Sequence, residues 1–129
     1  MSVELKMLCW SVLLGLFQVV LAAALVTRQR GLRWNVGNRD DALAPVTGAA
    51  SRAGRASWNF LETFVFFAVA VLVVEITQRT NTHTAMGVQL YFWARLAYLP
   101  VYVIGIPYLR TLIWAISILG LLHVFSALF

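Results

Sequence analysis

The chain is 129 residues long, 61% hydrophobic and only 12% charged, which excludes an ordinary soluble domain, where about a quarter of residues are charged. Its net charge of +5 raises nucleic acid as a partner, but the arginines border apolar runs instead of forming one dense basic segment. An integral membrane protein surrounded by the lipid bilayer, with no nucleic acid partner, is the class that remains. The single cysteine, Cys9, allows no internal disulfide, and no cysteine cluster is available for a metal.

In chain order, Ser2 to Lys6 reads as a short polar leader, and Met7 to Thr27 is free of charge over a length sufficient to cross a hydrocarbon core of ~30 Å. A cleaved signal peptide is the rival reading, since Ala22 and Ala24 are small. The apolar run nevertheless exceeds a signal core of roughly 7 to 15 residues, and Arg28 and Arg30 follow it. Ser11 and Gly15 suit close helix contact, and Gln18 is a neutral polar group in need of a partner. Arg28 to Gly48 reads as a loop, punctuated by Gly37, Pro45 and Gly48 and carrying Arg28, Arg30, Arg33, Arg39, Asp40 and Asp41. A second span is expected over residues 49–77, with Glu75 near its far end, a third over 84–104 and a fourth over 107–128, where Pro107 sits in the first turn without losing a hydrogen bond. The expected fold is all-α: one domain, 1–129, forming a four-helix transmembrane bundle small enough to need self-association. No repeat of 20 to 50 residues occurs.

Two polar stripes interrupt the apolar pattern. In the second span Arg52, Arg55, Asn59 and Glu62 follow one another at three, four and three residues and so share a helical face. In the third, Tyr91, Arg95, Tyr98 and Tyr102 do the same, with Pro100 expected to kink the helix or free a backbone carbonyl. Ionisable groups inside a span are costly and commonly functional. The alternative is structural: Arg52 and Arg55 snorkel to the interface, Asn59 and Glu62 bind neighbouring helices, and Tyr102 belongs to an aromatic belt. If the second span enters near Ser51 and the third leaves near Ile104, Glu62 and Arg95 lie at similar depths, ~16 Å and ~14 Å from one surface. A Glu62–Arg95 ion pair, within a subunit or across a subunit boundary, is therefore expected. Arg55 and Tyr102 would fall nearer that surface. The result is a pocket with cations at its mouth, suited to a zwitterionic polycarboxylate, with an apolar small-molecule co-substrate arriving from lipid.

RASWNFLETF, with Arg55, Asn59 and Glu62 in R-x-x-x-N-x-x-E, followed by ARLAYLPVY and GIPYLR, resembles the MAPEG family, the membrane-associated proteins in eicosanoid and glutathione metabolism. The resemblance spans nearly the whole chain and is strongest from Pro45 to Thr111. It implies a bacterial-type member in an inner membrane, a homotrimer, and glutathione as co-substrate bound between subunits near the cytoplasmic face. It further implies that Arg55, Asn59, Glu62, Arg95, Tyr98 and Tyr102 hold the tripeptide, with Arg52 beside them, while Arg110 at the start of the fourth helix acts as the catalytic residue that stabilises the thiolate. Two positions depart from the family pattern: Thr63 stands where several eicosanoid enzymes carry tyrosine, and Val65 where proline is common.

Three function classes follow: a glutathione-dependent transferase or peroxidase, a non-catalytic membrane scaffold or lipid-binding protein, and a small four-span exporter. Against the exporter, the first span lacks a central carboxylate to bind a cation. The first-to-second and third-to-fourth connections and their flanks carry Arg28, Arg30, Arg33, Arg39, Arg52, Arg55 and Arg110, against Lys6 and Arg79 on the other face, so the arginine-rich side is expected to be cytoplasmic and both termini extracytoplasmic. A reporter that is active only outside the cytoplasm should therefore function when fused after Phe129, and a reporter active only inside should not. The opposite pattern would reverse the orientation.

Overall fold

The computed structural model describes Met1–Phe129 as helices and connections without a strand. Helix α1 runs Val3–Arg30, the short α2 Leu32–Val36, α3 Gly48–Ile76, α4 Thr82–Ile104 and α5 Pro107–Phe125. By length and composition α1, α3 and α5 are apolar enough to cross a membrane. Helix α4 is long but less apolar, because His83, Gln89, Arg95 and several hydroxyls lie along it.

The start of α1 differs from the expected polar leader. Ser2 accepts a hydrogen bond from the Leu5 amide, an N-cap that starts the helix at Val3 and leaves Glu4 in the first turn, where a carboxylate suits the positive end of the helix dipole. Glu4 is buried and accepts from Thr84 Oγ1 at 2.6 Å. Thr84 itself sits in a capping box with Asn81 that starts α4. Nearby Ser2 also donates to Glu75 of α3, and Arg79 donates to the carbonyls of Ala127 and Leu128. One end of the molecule is thus tied by polar contacts among α1, α3 and α4 and to the residues that follow α5.

Between the ends, packing is apolar and uses small residues. The buried face of α1 is Glu4, Leu8, Ser11, Leu14, Gly15 and Gln18, at three-and-four spacing. A Cβ on Gly15 would lie 2.8 Å from the Phe60 ring, so the glycine is what lets α3 seat its phenylalanine there. Gln18 is 2% exposed, and neither of its amide atoms has a hydrogen-bond partner within the chain. Phe60, Phe67, Val71 and Val74 of α3 face Val88 and Tyr91 of α4 in the core, with Phe67 stacked on Tyr91 at 3.9 Å.

Helices α4 and α5 form the closest pair. A Cβ on Gly120 would come within 2.6 Å of the Tyr91 amide nitrogen and 2.7 Å of the Gly87 carbonyl oxygen, and one on Gly87 within 2.7 Å of the Gly120 carbonyl oxygen. Such small-residue contact is the main way helices attract each other in lipid, where apolar burial supplies little. Helix α4 continues through Pro100 and ends at Gly105, whose φ of 95° suits glycine and turns the chain into α5.

Gly120→Ala should consequently lower stability by about 1–3 kcal/mol, because the methyl group meets backbone that cannot swing away. Gly54→Ala, where nothing lies within 4 Å, should be neutral or stabilising. Thermal unfolding of both variants in mild detergent compares them directly.

Candidate functional site

The α4 stripe lies on one inner face: Tyr91, Arg95 and Tyr98 are buried and Tyr102 is half-buried. Arg95 is 1% exposed. Its Nη2 donates to Asn59 Oδ1 at 2.9 Å, and its guanidinium lies over the rings of Tyr98 at 4.8 Å and Phe60 at 5.4 Å. Nε and Nη1 have no hydrogen-bond partner. An amide oxygen and two ring faces stabilise a cation by hydrogen bonding and by cation–π attraction, but they do not neutralise it.

The expected Glu62–Arg95 pair does not form within the protomer. Glu62 is exposed on the outer surface of α3, and Arg95 takes Asn59 instead. The reason is helical phase. At about 100° per residue, Arg52 and Asn59 form one row and Arg55 and Glu62 a second row about 60° round the helix. Packing turns the first row inward and the second outward: Arg52 and Asn59 are half-buried, whereas Arg55 and Glu62 are exposed.

Arg52 is partly committed to structure. Its Nε donates at 2.7 Å to the Val103 carbonyl in the last turn of α4, satisfying an oxygen that the helix itself leaves free. Arg55 reaches the same end of α4 differently: Nε donates to the Tyr102 hydroxyl at 3.2 Å and Nη1 to Ser51 Oγ at 2.6 Å. From the first turn of α5, Arg110 lies over the Tyr102 ring at 4.6 Å. Stacking through the planar face leaves the N–H edge of a guanidinium free for an anion. Tyr102 in turn contacts Tyr98, with ring centroids 5.4 Å apart.

The structure thus brings Arg55, Arg110, Tyr102, Tyr98, Arg95 and Asn59 into one continuous chain of contacts from the surface to the core. Glu62 stands apart on the same helix, and Arg52 sits beside the chain as a cap. Two neighbours escaped the sequence reading. Phe60 underlies Arg95, and Thr63 Oγ1 is 3.0 Å from the Tyr91 hydroxyl, which fixes the ring stacked on Phe67. Phe60 follows Asn59 but points about 100° round the helix from it, so the polar spacing gave no signal for it. Thr63, on a different helix from Tyr91, gave none.

These features define an all-helical membrane protein with a buried guanidinium, Arg95, and a cluster of two arginines on one tyrosine, Arg55 and Arg110 on Tyr102, toward one end. The MAPEG family profile matches residues 7–129, and the chain belongs to the MAPEG family. No curated protein and no solved structure matches.

Asn59 and Arg95 should be energetically coupled. A double-mutant cycle with Asn59→Ala and Arg95→Gln, read by thermal unfolding, should give a coupling of about 0.5–3 kcal/mol. Strictly additive losses would show that the 2.9 Å hydrogen bond contributes nothing to stability.

Proposed function

We propose that this protein is a membrane-bound glutathione-dependent transferase or peroxidase acting on apolar electrophiles. Family membership supports the class. The observation that carries it to this chain is the convergence of Arg55 of α3 and Arg110 of α5 on Tyr102 of α4. Two guanidiniums around one phenol, with tyrosine and asparagine further in, match a tripeptide bearing two carboxylates, one ammonium and amides.

Arg55 binds a carboxylate at the mouth, and Tyr98, Tyr102 and Asn59 supply neutral hydrogen-bonding groups along the wall. Arg110 is the catalytic residue. A free thiol is mostly protonated at neutral pH, and a guanidinium beside it lowers its pKa by favouring the thiolate. The thiol proton leaves to water at the exposed mouth. The thiolate then attacks the electrophilic carbon, the S–C bond forms, and the leaving group departs with its electron pair. An apolar co-substrate reaches the protein from lipid. A hollow of about 600 Å³ between α1 and α4, lined by Phe17, Trp93, Leu99 and Pro100 among others, is a lipid-side space of suitable size.

The exposed position of Glu62 supports self-association. It lies fourteen residues beyond the start of α3 at Gly48, ~21 Å along the helix, where a carboxylate facing lipid is costly. A neighbouring copy that covers this face removes that cost, in keeping with a homotrimer of four-span subunits in a bacterial inner membrane with its arginine-rich side cytoplasmic.

The test is conjugation of glutathione to an activated aryl halide by the purified protein. Arg110→Ala should lower kcat at pH 7 by about tenfold, the equivalent of one unit in thiol pKa. Because the arginine lowers the thiol pKa, its removal shifts the rate profile to higher pH, and the deficit should shrink above the free-thiol value of about 8.5. A variant with an unaltered pH profile would remove Arg110 from thiolate stabilisation, and a wild-type protein without conjugation or peroxidase activity would remove the enzymatic reading.

A further inference from the structure

The connection between α1 and α3 is folded back on the end of α1. Gln29 accepts from the Thr47 amide at 3.1 Å and donates through Nε2 to the Thr47 carbonyl at 3.4 Å, pinning the start of α3 beside the last turn of α1. Asn35 donates to Thr27 and ties down α2. The segment is therefore held at the level where an apolar helix leaves the bilayer. Leu32 and Val36, one turn apart on α2, are 74% and 84% exposed, and Leu43 is exposed as well. Apolar side chains on a short helix at that level are suited to the headgroup and acyl boundary.

Within this segment Arg30 and Arg39 both stack on Trp34, at 4.7 Å and 4.5 Å. Together with Arg33, Asp40 and Asp41 they line a hollow of about 410 Å³. The arginines do not spend their hydrogen bonds on the two aspartates: Arg30 donates to the Ala44 carbonyl and Arg39 to the Asn35 carbonyl. Nε of Arg30 is buried with no partner. Two guanidiniums fixed over one ring beside a third are suited to a phosphate, because stacking leaves their N–H edges free. Two carboxylates in the same hollow are suited to a hydrogen-bond-donating cation a few bonds away. The exposed leucines and valine favour a ligand that is anchored in the membrane over one that is free in water.

We infer that the hollow formed by Arg30, Arg33, Trp34, Arg39, Asp40 and Asp41 is a headgroup site for an aminophospholipid, the arginines holding the phosphodiester and the aspartates the primary ammonium. The site is separate from the Arg55–Tyr102–Arg110 cluster and does not depend on the enzymatic reading. Lysine and arginine next to a span attract anionic headgroups in general. The aspartates add a preference for an amine that can donate hydrogen bonds, which a trimethylated ammonium cannot.

The experiment is native mass spectrometry of the detergent-purified full chain, titrated with phosphatidylethanolamine, phosphatidylcholine or phosphatidylglycerol, each with matched acyl chains, and separately with free phosphoethanolamine. Wild type should retain phosphatidylethanolamine over both other lipids. Arg33→Gln should weaken its retention by about fivefold, the effect of one arginine near a headgroup. Asp40→Asn with Asp41→Asn should abolish the preference over phosphatidylcholine while retaining phosphodiester binding. Arg28→Gln, at the same helix end but outside the hollow, should leave the preference unchanged, and helicity by circular dichroism should be the same in every variant. Equal loss in Arg28→Gln would reduce the effect to diffuse charge and overturn the site. Tighter binding of phosphatidylglycerol would overturn the headgroup assignment, and full competition by free phosphoethanolamine at comparable concentration would overturn the lipid source.

Discussion

The cost of holding a guanidinium in an apolar interior organises this molecule. Arg95 cannot shed its proton as a lysine could, so its surroundings must carry the charge. They do so with an amide oxygen from α3 and with the ring faces of Tyr98 and Phe60. None of these is an anion. The charge is thus solvated but not neutralised, and Nε and Nη1 are buried without a partner.

The two ends of the helices are finished in different ways, and each suits its surroundings. At one end Glu4, Thr84, Asn81, Ser2 and Glu75 close on one another, so the polar groups of the helix starts are largely satisfied internally. At the other end the arginines contact rings, hydroxyls and carbonyls, but not carboxylates: Arg52 caps α4, Arg55 and Arg110 gather on Tyr102, and Arg30 and Arg39 enclose Trp34. Guanidiniums held by ring faces keep much of their hydrogen-bonding edge free. The asymmetry makes one end a structural clasp and leaves the other rich in guanidiniums that have no carboxylate partner within the chain.

Glu62 stays exposed on α3, while Asn59, about one turn earlier, turns inward to Arg95. A carboxylate on the exposed face of a long apolar helix is costly where that face meets lipid. The two rows on α3 are used differently: Arg52 and Asn59 bond to the Val103 carbonyl and to Arg95 of α4, while Arg55 and Glu62 are exposed, Arg55 still reaching the Tyr102 hydroxyl.

The sequence by itself determined the helical, membrane-embedded class, the approximate extent of the long helices, the inward face of α4 and the family. These depend on local quantities: apolar run length, three-and-four spacing and the order of motif residues along one helix. Only the tertiary structure decided that Arg95 meets Asn59 and not Glu62, that Arg52 serves as a cap, that Arg110 closes on Tyr102, and that Glu4 is buried against Thr84. Each of these depends on how far one helix is rotated and shifted against another. That rotation is set by contacts between distant residues, Gly87 on Gly120 and Gly15 on Phe60. Spacing along a single helix specifies a face only to within about one row of side chains, and a difference of about 60° separates an inward asparagine from an outward glutamate.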